Sequence, residues 1–398
     1  PASATFDLRD EPTIAVGLAW DQQEVRLAAL ARDEPLEIAG GAAGKRHATA
    51  LRVTLEDGRA VCEIQGVHPI PLDPGDTLRV QARGGPRDST LRWKGSAWRG
   101  TFTIFMGPRG RLTVSDRLPL ETYLRGVVPG EIGALDESQI EAGKAQAIAA
   151  RSYTLFYRGR RTTEGFDLYG TVEDQVYGPV SSERPLASTC VESTHGTVAL
   201  SNGYPIRANY CSTCGGITAD VEEAWPVDPV PYLASHADRG AADWCAASPQ
   251  YRWREEWSAS EFLSDVARFA PDEGIALPAG GLGDLLDVRV DARSRSGRVW
   301  RLTVVTSRGE VAVPGYSVRR VLRRGGNSSA ILRSNLFKIA VRRDGATLVA
   351  QAVVASGAGF GHGVGLCQTG ALGMARAGES ASAILHHYYP GAELERRY

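Results

Sequence analysis

The chain has 398 residues, 43% of them hydrophobic and 23% charged, values near the globular average that exclude a collagen-like or disordered polymer despite 45 glycines. With 45 Lys and Arg against 46 Asp and Glu the net charge is -1, so no overall basic field is present to hold nucleic acid or an anionic membrane. The length allows two or three domains with a sizeable core, and no stretch approaches the ~20 uncharged apolar residues of a membrane span.

The chain opens Pro1-Ala2-Ser3-Ala4 without a Met, which reads as a trimmed N-terminus. On that reading a targeting segment has been removed and the protein works outside the cytoplasm: secreted, periplasmic or attached to the cell envelope. Its six cysteines (Cys62, Cys190, Cys211, Cys214, Cys245 and Cys367) then sit in an oxidising space and can pair.

From Thr13 to Val114 short apolar runs alternate with turn signals. Ile14–Leu18, Ala50–Thr54, Thr77–Gln81 and Gly100–Phe105 read as strands, separated by Gly58, Pro74-Gly75, Gly84-Gly85-Pro86 and Gly107-Pro108-Arg109-Gly110. Between Asp136 and Arg158 the pattern becomes one long helix, with Ser138 and Glu141 as a capping box and Ile140, Ala147, Ile148 and Leu155 near one face. Gly196–Leu200 reads as a strand, Ser258–Ala270 as a helix stopped by Pro271, and Leu286–Val290, Val299–Val305 and Glu310–Val313 as strands. The C-terminal part holds a glycine-rich run from Ser356 to Gly365, a helix over Leu366–Ala375 and another from Ser380 through His387, stopped by Pro390-Gly391. These patterns divide the chain into a β-rich N-terminal lobe (1–115), a core segment with the long helix (116–245), a mixed β-rich insertion (246–345), and a C-terminal glycine loop with helices that complete the core (346–398). The class is α+β, with barrel- or sandwich-like β-rich lobes around a helical segment and a cleft.

Glu131 stands in Val127-Val128-Pro129-Gly130-Glu131-Ile132-Gly133, an apolar turn feeding the long helix, where burial would keep a carboxyl protonated near neutral pH and able to donate to a leaving oxygen. On spacing alone, a Glu after Pro-Gly suits a solvated turn better. Hydrolysis of a glycosidic bond uses two carboxylates, whereas intramolecular attack by a muramoyl C6 hydroxyl needs one group acting as acid and then base, and a lone Glu suits the second chemistry. Asp174, Asp220, Glu222 and Glu223 leave a two-carboxylate site open, although the Glu222-Glu223 pair reads as a solvated face. The run around His362 lacks both the Gly-Lys-Ser/Thr ending of a phosphate loop and a G-x-G-x-x-G offset, which argues against a nucleotide. Its alternating glycines let the backbone approach something closely; His362 either donates to a substrate oxygen or satisfies a carbonyl in a tight turn.

Cys211-x-x-Cys214 with Cys245 and His236 has the look of a zinc ligand set, but a second C-x-x-C or H-x-x-x-H is missing. Disulfides explain the same residues more simply. A Cys/His nucleophile has no sequence-adjacent orienting group to recommend it. The aromatic tract Trp225, Tyr232, Trp244, Tyr251, Trp253 and Trp257 offers faces for sugar rings, with the core as the preferred assignment.

Six blocks together resemble the stage II sporulation protein D / LytB (SpoIID-like) family of bacteria. They are Leu118–Glu131 (LPLETYLRGVVPGE), Lys144–Tyr153 (KAQAIAARSY), Asp174–Gly178 (DQVYG), Ser212–Gly216 (STCGG), Gly361–Gln368 (GHGVGLCQ) and His387–Gly391 (HYYPG). The resemblance implies a peptidoglycan lytic transglycosylase that cuts between N-acetylmuramic acid and N-acetylglucosamine, leaves a 1,6-anhydromuramoyl end, prefers peptide-stripped glycan strands and needs no cofactor. It maps the catalytic acid/base onto Glu131 and places Lys144, Gln146, Arg151, Tyr153, Gln175, Tyr177, Ser212, Thr213, His362 and Gln368 around a glycan groove. Arg151 would hold substrate or a buried carboxylate, and Gln175 or His362 would bond acetamido groups. A role as a non-catalytic glycan-binding enhancer of an N-acetylmuramoyl-L-alanine amidase is also attached to this family, which makes a cell-wall amidase the alternative partner beside the glycan itself. Two departures stand out. Zinc-binding members carry Cys and His just before the Gln-Val-Tyr block, where this chain reads Asp167–Asp174 (DLYGTVED), so a zinc site there is not expected; Thr369 occupies the place of a usual Trp. At the cysteines, a Cys214–Cys245 disulfide is preferred to a structural zinc on Cys211, Cys214 and Cys245.

Overall fold

Thr13–Gln22, the first apolar run, pairs antiparallel with Leu112–Pro119 and parallel with Leu168–Tyr169, which ties the start of the chain to segments about one hundred residues and more downstream. The computed structural model describes residues 6, 8–31, 33–85, 87–88 and 90–398. The opening tetrapeptide and Pro86 lie outside the described residues. The chain divides into two units: one runs to Arg207 and takes back Glu393–Tyr398, and the other is Ala208–Ala392. The boundary expected at 115 falls inside the strand Leu112–Pro119, whose neighbours on both sides, Thr13–Gln22 and Thr101–Met106, come from the N-terminal part. The boundaries expected at 245 and 345 both fall inside the second unit.

In the first unit a seven-stranded sheet runs Leu168–Tyr169, Thr13–Gln22, Leu112–Pro119, Thr101–Met106, Thr77–Ala82, Leu36–Ala39, Lys45–Ala48. A six-stranded antiparallel sheet holds Ser96–Trp98, Leu91–Trp93, Glu24–Ala29, Ala50–Glu56, Arg59–Ile64 and Ile70–Leu72. Alternation along Ala50–Glu56 and Arg59–Ile64 buries Leu51, Val53, Cys62 and Ile64, as a half-covered strand requires. The sheets meet through aromatic edges, with the Trp93 and Phe102 ring centroids 5.7 Å apart. The arrangement is sandwich-like, and among the described residues no sheet closes into a barrel.

Helix α1 (Leu120–Ile132) follows the strand Leu112–Pro119 without a break. Its N-cap residue, Pro119, has no acceptor in its side chain, and Glu11 substitutes by accepting from the Glu121 amide at 2.9 Å. The next helix, α2 (Ile140–Tyr157), is entered through a one-turn 3-10 segment. The capping box belongs to that segment and uses Asp136 and Gln139 rather than Ser138 and Glu141, because the chain turns helical one residue pair earlier than its apolar pattern suggests. The alanines of α2 at 142, 145, 147, 149 and 150 are all fully buried, and small side chains let neighbouring helices close in from several sides. Gly143 shows how close: a Cβ there would stand 2.6 Å from Cys190 Sγ on helix α3 (Pro185–Ser193). The C-terminal strand Glu393–Arg396 pairs with Thr197–Ser201, bringing Tyr398 to Glu121.

The second unit has a three-stranded sheet of Arg252–Ser258, Ala350–Ala358 and Phe337–Arg343 and another of Leu285–Arg293, Val299–Thr306 and Gly309–Pro314. Helix α4 (Ala259–Phe269) starts one residue after Ser258, the first residue of the expected helix, which serves as its N-cap, and α5 (Gly315–Val321) follows the last of these strands. Trp257, Phe262, Val266, Val304, Val318 and Val353 share their core. Helices α6 (Gln368–Arg376) and α7 (Ala381–Tyr388) end the unit; Leu366–Cys367, expected as the first turn of α6, instead form a short parallel strand with Tyr210–Cys211. Among the described residues no helix is long and apolar enough to cross a membrane.

Candidate functional site

Glu131 lies in the last turn of α1, not in a turn before a single long helix. The helix continues through Pro129 because Tyr123, Leu124, Val127, Val128 and Ile132 are buried, and packing outweighs the poor propensity of Pro-Gly. Glu131 is half-buried, so the deep apolar burial expected for it does not occur. Its Oε1 accepts the Val176 amide at 2.8 Å, which anchors the carboxylate to the Asp174–Gly178 loop. That loop lies against two helix glycines: a Cβ on Gly126 would stand 2.6 Å from the Tyr177 ring, and one on Gly130 3.2 Å from the Val176 carbonyl.

Beneath the loop the sequence-named residues act as supports. Gln175 is fully buried; its carbonyl oxygen accepts from Thr154 at 2.6 Å and Tyr123 at 3.2 Å, and its amide donates to the Ala150 carbonyl. It therefore bolts the loop to α1 and α2, a different place from the acetamido contact expected of it. Tyr177 is buried and donates to Asp116 at 3.1 Å. Asp116 is fully enclosed, and burial pushes its carboxyl well above the usual range against the lowering bond from Tyr177.

Arg151 takes the buried-carboxylate alternative: its Nε and Nη2 each reach Glu121 at 2.7 Å, and the pair is enclosed. Burial alone would raise Glu121, but Arg151, Tyr398 and the Gly196 amide outweigh it and hold the carboxyl below its ordinary value. Gln146 and Tyr153 are buried on α2, the latter with its ring 4.6 Å from Tyr157, while Lys144 is partly exposed and pairs with Glu141 at 2.6 Å. Of the α2 residues expected around a groove, Lys144 alone is placed at the surface.

The other acids are engaged. Asp174 accepts the Tyr169 amide at 2.9 Å and pairs with Arg160 and Arg161 at 3.3 Å. In the second unit Glu223, read as part of a solvated face, is 2% exposed, bonded by Ser296 and turned inward by a capping box with Asp220. Asp220 accepts the Ser235 amide and pairs with Arg295.

Ser212, Thr213, His362 and Gln368 gather in the second unit. Thr213 Oγ1 lies 2.8 Å from both Ser248 and Thr369 hydroxyls, and the Thr369 amide donates to the Ser212 carbonyl at 3.0 Å. Thr369, in the place of the family's Trp, thus pins the start of α6 to the Ser212-Thr213 segment. Gln368 is buried at the first position of that helix. The glycine run's close neighbour is this same segment: a Cβ on Gly359 would stand 2.6 Å from the Thr213 carbonyl, and one on Gly365 2.0 Å from that of Asn209, both at positive φ. His362 Nδ1 accepts the Val364 amide at 3.0 Å, which puts the neutral ring's proton on Nε2, and its ring lies 4.8 Å from that of Trp225.

Of the aromatic tract, Trp253 and Trp257 are core residues, whereas Trp225, Tyr232, Trp244 and Tyr251 are half-buried. Arg298 was missed by the sequence reading. It is 1% exposed and donates to the carbonyls of Cys214, Ile217 and Thr218, bracing the segment from another lobe; a lone Arg in a strand-rich stretch carries no signal of that role. A cavity of about 700 Å³ on the six-stranded sheet, lined by Arg26, Arg52, Glu63 and Lys94, contains none of the residues named from sequence.

All six cysteines are unbonded and buried. Cys214 and Cys245 face each other with sulfurs 3.7 Å apart, without the expected bond between them. Burial pushes the Cys62 and Cys190 thiols up to about 11, which makes them poor nucleophiles.

Residues 108–200, the stretch that holds Glu131, α2 and the Asp174–Gly178 loop, match the family model described as Stage II sporulation protein. Residues 244–365 match a domain of unknown function, DUF8618. The chain is 28% identical to the stage II sporulation protein D of Bacillus subtilis over 294 residues, 70% of this chain and 75% of that protein. It is 28% identical to the amidase enhancer of the same organism over 364 residues, 80% of this chain but 47% of the relative, so it spans about half of that protein. An uncharacterised protein of Brachyspira hyodysenteriae is 26% identical over 299 residues, 73% of this chain and 70% of that one. Residues 108–200 thus match the SpoIID model, and over most of its length the chain is similar to stage II sporulation protein D and amidase-enhancer proteins.

Proposed function

We propose that the protein is a peptidoglycan lytic transglycosylase acting on glycan strands outside the cytoplasm, with Glu131 as its general acid and base. The observation that carries this reading is the anchored, half-buried Glu131 carboxylate at the end of α1, inside the SpoIID match, with the neighbouring Asp174 locked by two arginines. A single oriented carboxyl can serve intramolecular displacement as acid and then base, whereas hydrolysis needs a further base for water. Glu131 protonates the glycosidic oxygen as the bond to the muramoyl C1 breaks, and then takes the proton of the C6 hydroxyl as that oxygen closes onto C1. The glycan loses no atoms to water, and the carboxyl returns to its starting protonation state. His362 and Trp225, as an Nε2 donor beside an aromatic face, suit a sugar ring. Incubating peptide-free glycan strands with the parent protein and with Glu131→Gln tests the reading. It expects 1,6-anhydro ends from the parent only, and anhydro ends from both proteins would remove Glu131 from the chemistry.

A second reading is favoured by the amidase enhancer relative: a glycan-binding partner of a cell-wall amidase that does no chemistry itself. It keeps glycan binding and predicts that Glu131→Gln stimulates an amidase as well as the parent does.

A further inference from the structure

We propose that Cys214, Asp238, Cys245 and Cys367 bind one divalent ion of the zinc class, a site distinct from the Cys211, Cys214, Cys245 and His236 set that the spacing suggests. The three sulfurs and a carboxylate oxygen all lie within 4.8 Å of one another, and all four residues are buried. Tetrahedral zinc with Zn–S bonds of about 2.3 Å separates its sulfurs by about 3.8 Å, close to the Cys214–Cys245 separation, whereas a disulfide holds them at about 2.0 Å. The observed 3.7 Å is therefore the spacing of two ligands of one ion. The widest pair must close by about 1 Å, which side-chain rotation supplies.

The surroundings direct polar groups at the ligand atoms. Asp238 Oδ1 is held by the Tyr388 hydroxyl at 2.8 Å and His387 Nε2 at 3.1 Å, while Oδ2 turns inward and accepts from the Cys214 thiol at 2.9 Å. That is the outer bonding that orients a carboxylate ligand. The amides of Cys214 and Gly370 point at Cys367 Sγ at 3.2 and 3.3 Å, and the Gly216 amide at Cys214 Sγ at 3.4 Å. Backbone donors aimed at sulfur stabilise thiolates, the form that metal binding requires. Among the described ion pairs Asp238 faces a histidine, His387, and no Lys or Arg, so a divalent ion supplies the compensation that an enclosed carboxylate needs.

The ligands come from four separate stretches: the Ser212–Gly216 turn, the loop at Asp238, the turn at Cys245, and Cys367 at the cap of α6. An ion there ties these loops together next in the chain to Thr213 and Gln368. Its role is structural, since all four positions of a tetrahedron are taken by protein. The inference stands apart from the glycan reading and needs no activity to test it.

The experiment is metal analysis of the full chain purified under reducing conditions and dialysed against zinc, followed by replacement with Co(II). The expected results are about one zinc per chain, a cobalt spectrum with thiolate charge-transfer and intense tetrahedral visible bands, and at least a tenfold loss of bound metal in Cys367→Ser or Asp238→Asn. Cys62→Ser and Cys190→Ser keep it. If the ligand variants do not fold, the cobalt spectrum of the parent decides alone. Less than about a tenth of an ion per reduced, folded chain, a cobalt spectrum without thiolate bands, or a metal-free protein with Cys214 and Cys245 joined in a non-reduced peptide map would each overturn the proposal.

Discussion

The Val176 amide donates to Glu131 Oε1 at 2.8 Å, so one bond couples the proposed acid to the Asp174–Gly178 loop. Gln175 buries the loop from below and Gly126 and Gly130 receive it from the side, which means the carboxylate is only as well placed as the loop.

Gly126→Ala tests that dependence. The new methyl would stand 2.6 Å from the Tyr177 ring and 2.9 Å from the Gly178 carbonyl, so the loop must move away from α1. Overpacking of this kind costs about 1–3 kcal/mol, and glycan turnover is expected to fall at least tenfold while the protein still folds. Denaturant titration and turnover measured together check it; unchanged turnover would mean that the loop does not position Glu131.

Arg151→Ala leaves the Glu121 carboxylate enclosed without its guanidinium, and breaking a buried pair this way costs about 3–5 kcal/mol. Urea unfolding measures it, and a loss below about 1 kcal/mol would contradict the structural role assigned to this pair in place of substrate binding.

Two buried carboxyls give opposite pH dependences. Glu121 is held below its ordinary value, so its contribution is present above about pH 4.3 and is lost as pH falls through the lowered value; stability relative to Glu121→Gln declines on acidification. Asp116 is pushed up, so the folded state keeps a proton that the unfolded chain releases above about pH 3.9, and stability relative to Asp116→Asn declines as pH rises from there through the raised value. Thermal unfolding across pH checks both, and a flat difference for either variant would refute its assignment.

Trp225→Ala removes the aromatic face beside His362 and is expected to weaken binding of peptide-free glycan by about tenfold, equivalent to about 1.4 kcal/mol, with little effect on unfolding because the ring is half-buried. Calorimetric titration with glycan fragments gives the number, and unchanged affinity would take the ring out of the sugar site.

Strands and helices with a clean pattern were legible: Thr77–Ala82, Val299–Thr306, α2 and α4 appear where alternation, a small-residue run or the stop at Pro271 places them. The end of α1 was not, because Pro129-Gly130 carries a local turn signal that burial of Val127, Val128 and Ile132 overrides. The same limit applies to Glu223 and to Cys367. Whether a carboxylate faces solvent or Ser296, and whether a cysteine meets two others, depends on contacts that no local spacing contains. Motif blocks led to Glu131, but several residues named with it, Gln175, Arg151 and Tyr177 among them, are buried and bonded within the fold, which a motif does not distinguish from substrate contact.

In the proposed reaction Glu131 closes the muramoyl C6 oxygen onto C1 without water. Digesting peptide-free glycan strands in water enriched in heavy oxygen and weighing the products tests it most directly. Intramolecular closure gives fragments one water lighter than hydrolytic ones and free of the heavy isotope, formed by the parent and absent with folded Glu131→Gln. Fragments that carry the heavy oxygen at the new reducing end would contradict it, since they require an activated water and a second group to activate it.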